Sequence, residues 1–253
     1  DAILLAGGLT ASGTVDRIYL IRVPSGPVQL DGHLASAVHD AGGALLGSTP
    51  TIFGGGNLAP ENGVQQLGAG GGIVGALPRA RADLVVVDVG NTAVVVGGGT
   101  PARLDPVVLA TTNGAQFRAL ATLPYGVRYP AVAVVGGVIV VVGGTDGVHD
   151  RTEIETIDPA TGTVRVVGHL EHGLAHATAF VLDGELLIVG GRAGGVAQDT
   201  ILAVDPASGS VAIAGRLPEG ISDAAGAVVG GVAYLIGGEG RDFLASIIAI
   251  ERR

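Results

Sequence analysis

The chain has 253 residues, 47% of them hydrophobic but only 3% aromatic, with 45 glycines, no cysteine, no methionine and a net charge of −9. The lack of cysteine excludes disulfides, thiolate nucleophiles and zinc–thiolate sites. The lack of any lysine or basic run argues against a nucleic-acid or anionic-membrane surface.

Taken in chain order, short aliphatic runs alternate with glycine pairs. Ile3-Leu4-Leu5 ends at Gly7-Gly8, and the same device returns at Thr51-Ile52-Phe53 with Gly54-Gly55 and at Val94 to Val96 with Gly97-Gly98. It recurs at Val140 to Val142 with Gly143-Gly144, Leu187 to Val189 with Gly190-Gly191, and Tyr234 to Ile236 with Gly237-Gly238. From one second glycine to the next the steps are 47, 43, 46, 47 and 47 residues. Units this short cannot bury a core alone, so the repeat predicts a radial or stacked array. The runs favour buried strands, each ended by glycines where the chain turns sharply.

The second unit reads as irregular: His33 to Phe53 as a longer first hairpin, and Asn57 to Gly75 as a glycine-rich loop around a weak outer strand at Gln65-Gln66. The clearest unit starts at Tyr129. Pro130 to Val135 and Val138 to Val142 form a hairpin about Gly136-Gly137, which makes Ala131 to Val142 a poor membrane span. Glu153 to Ile157 and Val164 to Val167 follow, joined by the turn Asp158-Pro159-Ala160-Thr161-Gly162. The next unit repeats this, with its own turn at Asp205-Pro206-Ala207-Ser208-Gly209. The prediction is an all-β, single-domain fold over residues 1–253: a six-bladed β-propeller with four-stranded antiparallel blades. The chain starts on a second strand (residues 2–6) and ends on a third (residues 245–250). We therefore expect the two seam blades to lack one strand each, as in a segment cut from a larger polypeptide without Met at position 1.

Apolar strand, Gly-Gly, polar loop, strand, Asp-Pro-x-x-Gly turn, strand, then Leu-Pro (77-78, 123-124 and 217-218) resembles the kelch repeat, over essentially the whole chain. The resemblance implies a kelch-type propeller. The family's tryptophan at the fourth strand is replaced by Phe117, Val164 and Val211, and its arginine after Leu-Pro survives only as Arg79, Arg81 and Arg128. Kelch-type oxidases need a cysteine cross-linked to tyrosine, which this chain cannot supply. Other kelch-like propellers are sugar isomerases.

In a meander, loops leaving strand two and connections from strand four to the next blade share one end. That end collects Ser36, Asp83, Tyr129, His176 and Asp223, six residues past Leu30, Leu77, Leu123, Leu170 and Leu217. Together with Arg128 and Arg192 these are the candidate ligand-binding residues, expected to ring the mouth of a central channel. Asp83, His176 and Asp223 are suitable metal donors, but Asp83 and Asp223 belong to opposite blades, so no metal and no cofactor are expected. No nucleophile elbow, zincin helix or phosphate loop is present. The expectation is a non-catalytic module binding a protein segment or a small polar or carbohydrate ligand. The alternative is a carbohydrate-acting isomerase or lyase with His176 as acid/base.

Overall fold

Aliphatic side chains between glycine turns fold into antiparallel strands throughout. The computed structural model describes residues 1–68 and 70–252, and every helical or sheet element among them is a strand. The chain forms two compact units, Asp1–Arg128 and Tyr129–Arg253. Each holds three blades, and the fold is an all-β, six-bladed propeller.

In the first unit, blade 1 pairs Ala2–Ala6, Arg17–Arg22 and Val28–His33 in that order. Blade 2 is Gly42–Leu46, Thr49–Phe53, Gly63–Gln66 and Gly72–Ala76. Blade 3 is Ala82–Val89, Thr92–Thr100, Val107–Thr111 and Arg118–Thr122, with Arg103–Leu104 added beside the second strand. In the second unit, blade 4 is Ala131–Val135, Val138–Val142, Glu153–Ile157 and Val164–His169. Blade 5 is Thr178–Leu182, Glu185–Val189, Thr200–Asp205 and Ser210–Arg216; blade 6 is Ala225–Val229, Val232–Ile236 and Ile247–Ile250. Consecutive strands pair antiparallel, for example Val132 with Val141 and Val140 with Thr156.

Second strands are apolar on both faces because each blade packs between neighbours. Val140 and Val142 of blade 4 meet Leu186 and Ile188 of blade 5, whose other face, Leu187 and Val189, meets Ala233 and Leu235 of blade 6. In the first unit Phe53 and Val64 pack against Leu84, Val86 and Val95. Phe117 and Val211, at the tryptophan position, pack against these clusters half-buried.

The glycine pairs tie one blade to the next. The N–H groups of Gly8, Gly55, Gly98, Gly144 and Gly191 donate to the carbonyls of Val38, Arg81, Val127, Leu174 and Ile221 at 2.7–2.8 Å. The preceding glycine, such as Gly190 at φ +64°, lies so near the same carbonyl that a Cβ would overlap it. Glycine is needed there twice over, for backbone conformation and for space.

Two readings of the sequence are corrected. Blade 2 is regular: its first hairpin has five residues in each strand, and Gly63–Gln66 forms a paired third strand rather than a loose loop. It holds because Val64 is fully buried and Gln65 is buried with both amide atoms bonded to the Ser36 backbone. In blade 3 the second strand continues through the glycine pair, since Gly97 and Gly99 pair with Leu84 and Ala82. Arg81 is 2% exposed, in the slot that Val38, Val127, Leu174 and Ile221 fill elsewhere. It is held by Asp105 at 3.1 Å and by the carbonyls of Gly97 and Val107. Burial pulls its pKa down, and the Asp105 charge only partly restores it.

Candidate functional site

In blades 2 to 6 a residue at the entry to the first strand has a left-handed backbone. Asp40, Asp83, Tyr129, His176 and Asp223 have φ of 51°, 64°, 52°, 60° and 57°. Outside glycine such values are uncommon, least so for Asp, Asn and His. Within each unit these residues are chained through the backbone: Asp83 N–H donates to Asp40, His176 N–H to Tyr129 and Asp223 N–H to His176. Asp40, not Ser36, holds this position in blade 2. Leu34, which is buried, is the counterpart of Leu77, whereas Leu30 is 56% exposed, so the count of six residues starts from Leu34. Ser36 instead offers its backbone to Gln65.

In the first unit, Arg128 Nη2 reaches Asp83 Oδ2 at 2.6 Å, with Asp83 8% exposed, and His39 Nδ1 lies 2.9 Å from Asp40 Oδ2. In the second unit the contacts run farther. The Tyr129 and His176 rings stack with centroids 3.7 Å apart and planes inclined at 23°. His176 Nδ1 lies 2.5 Å from Asp223 Oδ1. Asp223 Oδ2 accepts from Ser222 Oγ at 2.7 Å and Arg192 Nε at 3.4 Å, and Arg192 Nη2 reaches Glu239 Oε2 at 2.6 Å. One chain of side chains, Tyr129–His176–Asp223–Arg192–Glu239, therefore crosses three successive blades. Burial pushes the Asp223 carboxyl up, but the His176 hydrogen bond and charge, Ser222 and Arg192 outweigh it and hold it below the ordinary carboxylate value.

Of the predicted residues, the structure pairs Asp83 with Arg128 and joins Tyr129, His176, Asp223 and Arg192; Ser36 stands apart. Sequence reasoning missed Glu239 and Ser222. Glu239 follows Gly237-Gly238 as Arg192 follows Gly190-Gly191, so an opposite charge at the same register was the available signal. Among the described residues, no group of three or more His, Asp or Glu is arranged to hold a metal ion. Among the described residues no helix is long and apolar enough to cross a membrane. A recess of about 400 Å³ opens at the hairpin-turn end of blade 3, lined by Thr92, Thr111, Asn113 and Gln116 among others, none of them a predicted site residue.

Residues 127–170 match the Kelch motif. The match spans one repeat, that of blade 4, within the six-bladed β-propeller. The solved structure of YjhT superposes with a TM-score of 0.82, covering 98% of this chain and 94% of that one at 14% identity, a likeness of fold alone. No curated protein matches the sequence. A propeller of this type supports a binding role in general terms, with loops carried on a rigid frame.

Proposed function

We propose that the chain is a non-catalytic binding module whose recognition surface is the loop-bearing end of blades 4 to 6. The observation that carries this is the contact chain from Tyr129 to Glu239, built on left-handed lead-in residues. Backbone strain of about 1–3 kcal/mol per residue is tolerated where the surroundings fix the conformation, and it concentrates at functional sites. Stacking and ion pairing hold Tyr129, His176 and Arg192 in place before a partner arrives, which lowers the entropy lost on binding. The partner class is a protein segment or a small polar ligand, and Asp83 with Arg128 offers a comparable pair in the first unit.

A second reading, a carbohydrate isomerase or lyase, draws on one observation. The Asp223 carboxylate lies against His176 Nδ1, which would orient the ring and leave Nε2 to move a proton. A thermal-shift screen of peptides and of neutral and acidic sugars separates the two. A ligand at about 100 times its Kd adds about 2.7 kcal/mol of stability, and the shift should disappear in Tyr129→Ala and His176→Ala. A bound sugar that wild type converts, as followed by proton NMR, and that His176→Gln binds without converting would favour the enzyme. Shifts that survive both alanine substitutions would refute the surface.

A further inference from the structure

Charge is divided unevenly along the chain. Fifteen of the 23 carboxylates but only seven of the 14 arginines lie in residues 129–253, so this half carries −8 of the net −9. Its five loop-end segments (143–152, 170–177, 190–199, 217–224 and 237–246) hold eight carboxylates and three arginines. Two of those arginines are already committed, Arg151 to Asp146 and Glu153, and Arg192 to Asp223 and Glu239. Glu171, Glu219 and Asp242 are exposed, with no arginine partner among the described residues.

The same end carries apolar side chains in water. Val148 is 80% exposed, Val196 65% and Phe243 49%. Each sits in the loop between the second and third strands of its blade, so the three occur once per blade in blades 4, 5 and 6. Their loops are braced: the Asp150 carboxylate accepts from Gly194 N–H at 3.0 Å, and Arg192 spans to Glu239. The Asx turn at Asp146, which takes the N–H groups of Val148 and His149, would form with any side chain at 148. Scattered exposed apolar residues are ordinary. Three in the same loop of successive blades, on loops with surplus negative charge, have the composition of an interface with apolar anchors.

We infer that this end binds a cationic peptide segment, with arginine or lysine meeting the acidic loops and apolar side chains meeting Val148, Val196 and Phe243. The inference rests on the proposed surface and names its partner class. Charge complementarity selects the occupant: an acidic segment would face Asp150, Glu171, Glu219 and Asp242, which have no arginine partner among the described residues, and a neutral one would leave them unpaired.

The test is to pan a random peptide library against the whole chain, then measure a selected peptide against two variants. One is Val148→Ser/Val196→Ser/Phe243→Ser, the other Glu171→Lys/Glu219→Lys/Asp242→Lys. All six positions are exposed, and thermal melts check folding. The expected result is enrichment for Arg and Lys beside apolar residues, with affinity falling about tenfold or more in each variant and weakening with salt. No enrichment, enrichment without positive charge, or affinity unchanged in either variant overturns the inference. Acidic or neutral peptides that need Tyr129 would refute the cationic partner but keep the surface; cationic peptides indifferent to both Tyr129 and His176 would refute the surface itself.

Discussion

Replacing Gly190 with alanine tests the physical basis of blade-to-blade joining. Gly190 has φ +64° and is buried, and its added methyl would overlap the Ile221 carbonyl, which accepts the Gly191 N–H at 2.8 Å. A left-handed alanine costs about 1–2 kcal/mol, and displacing the carbonyl leaves a buried donor unpaired for about 1–3 kcal/mol more. The sum, about 2–5 kcal/mol, lowers Tm by roughly 5–15 °C for a chain of this size. Gly136, at φ +58°, is the control: a methyl there meets nothing within 4 Å, so Gly136→Ala should show only the conformational cost of about 1–2 kcal/mol. The gain in unfolded-state order is the same at both positions and cancels. Chemical denaturation of both variants gives the comparison. Equal destabilisation would mean that conformation alone, not the close approach between blades, requires the glycine.

Further outcomes follow from the corrected register and the buried charges. Leu34→Ala should cost about 2–4 kcal/mol in urea unfolding and Leu30→Ala less than about 0.5, because only Leu34 is buried; the reverse order would restore Ser36 to the lead-in position. Arg81→Leu should cost up to about 3–5 kcal/mol, since it removes the buried partner of the Asp105 carboxylate and leaves only the exposed Arg79 at 3.7 Å, although leucine resembles the residues at the four equivalent slots. Asp223 has its pKa lowered on folding, so its contribution is complete above the unfolded value of about 3.9 and lost as pH falls through the lower folded value. Stability measured from neutral pH down to about pH 3 should therefore fall less for Asp223→Asn than for wild type. An equal fall would show that the carboxylate gains nothing on folding.

Much of the architecture is legible in the sequence because glycine has a physical task at every blade end. The pairs carry positive φ, and those of blades 1 to 5 donate an N–H to the carbonyl that leads into the next blade, so they cannot drift, and their spacing counts the blades. The lead-in register is legible for the same reason from Asp83 to Asp223. It failed at Ser36, although the sequence held the correction: the steps from Asp40 to Asp83, Tyr129, His176 and Asp223 are 43, 46, 47 and 47, the series shown by the glycine pairs from Gly55 onward. Leu30 was a tempting anchor because aliphatic residues also occupy exposed outer strands, where composition does not distinguish the faces. The burial of Arg81 was not legible, because an arginine after Leu-Pro is normally solvated and its partner Asp105 lies 24 residues away. The Tyr129–His176 stack and the sharing of Arg192 depend on rotamers, which spacing does not encode.

Hydrogen exchange of the amides, with and without a ligand found by the thermal-shift or peptide screens, tests the central claim most directly. Protection should concentrate in 143–152, 170–177, 190–199, 217–224 and 237–246, and it should vanish with Tyr129→Ala/His176→Ala. Protection centred instead on the opposite turns, 135–138, 158–163 and 205–210, and indifferent to that double substitution, would contradict the claim that blades 4 to 6 bind through their loop-bearing end.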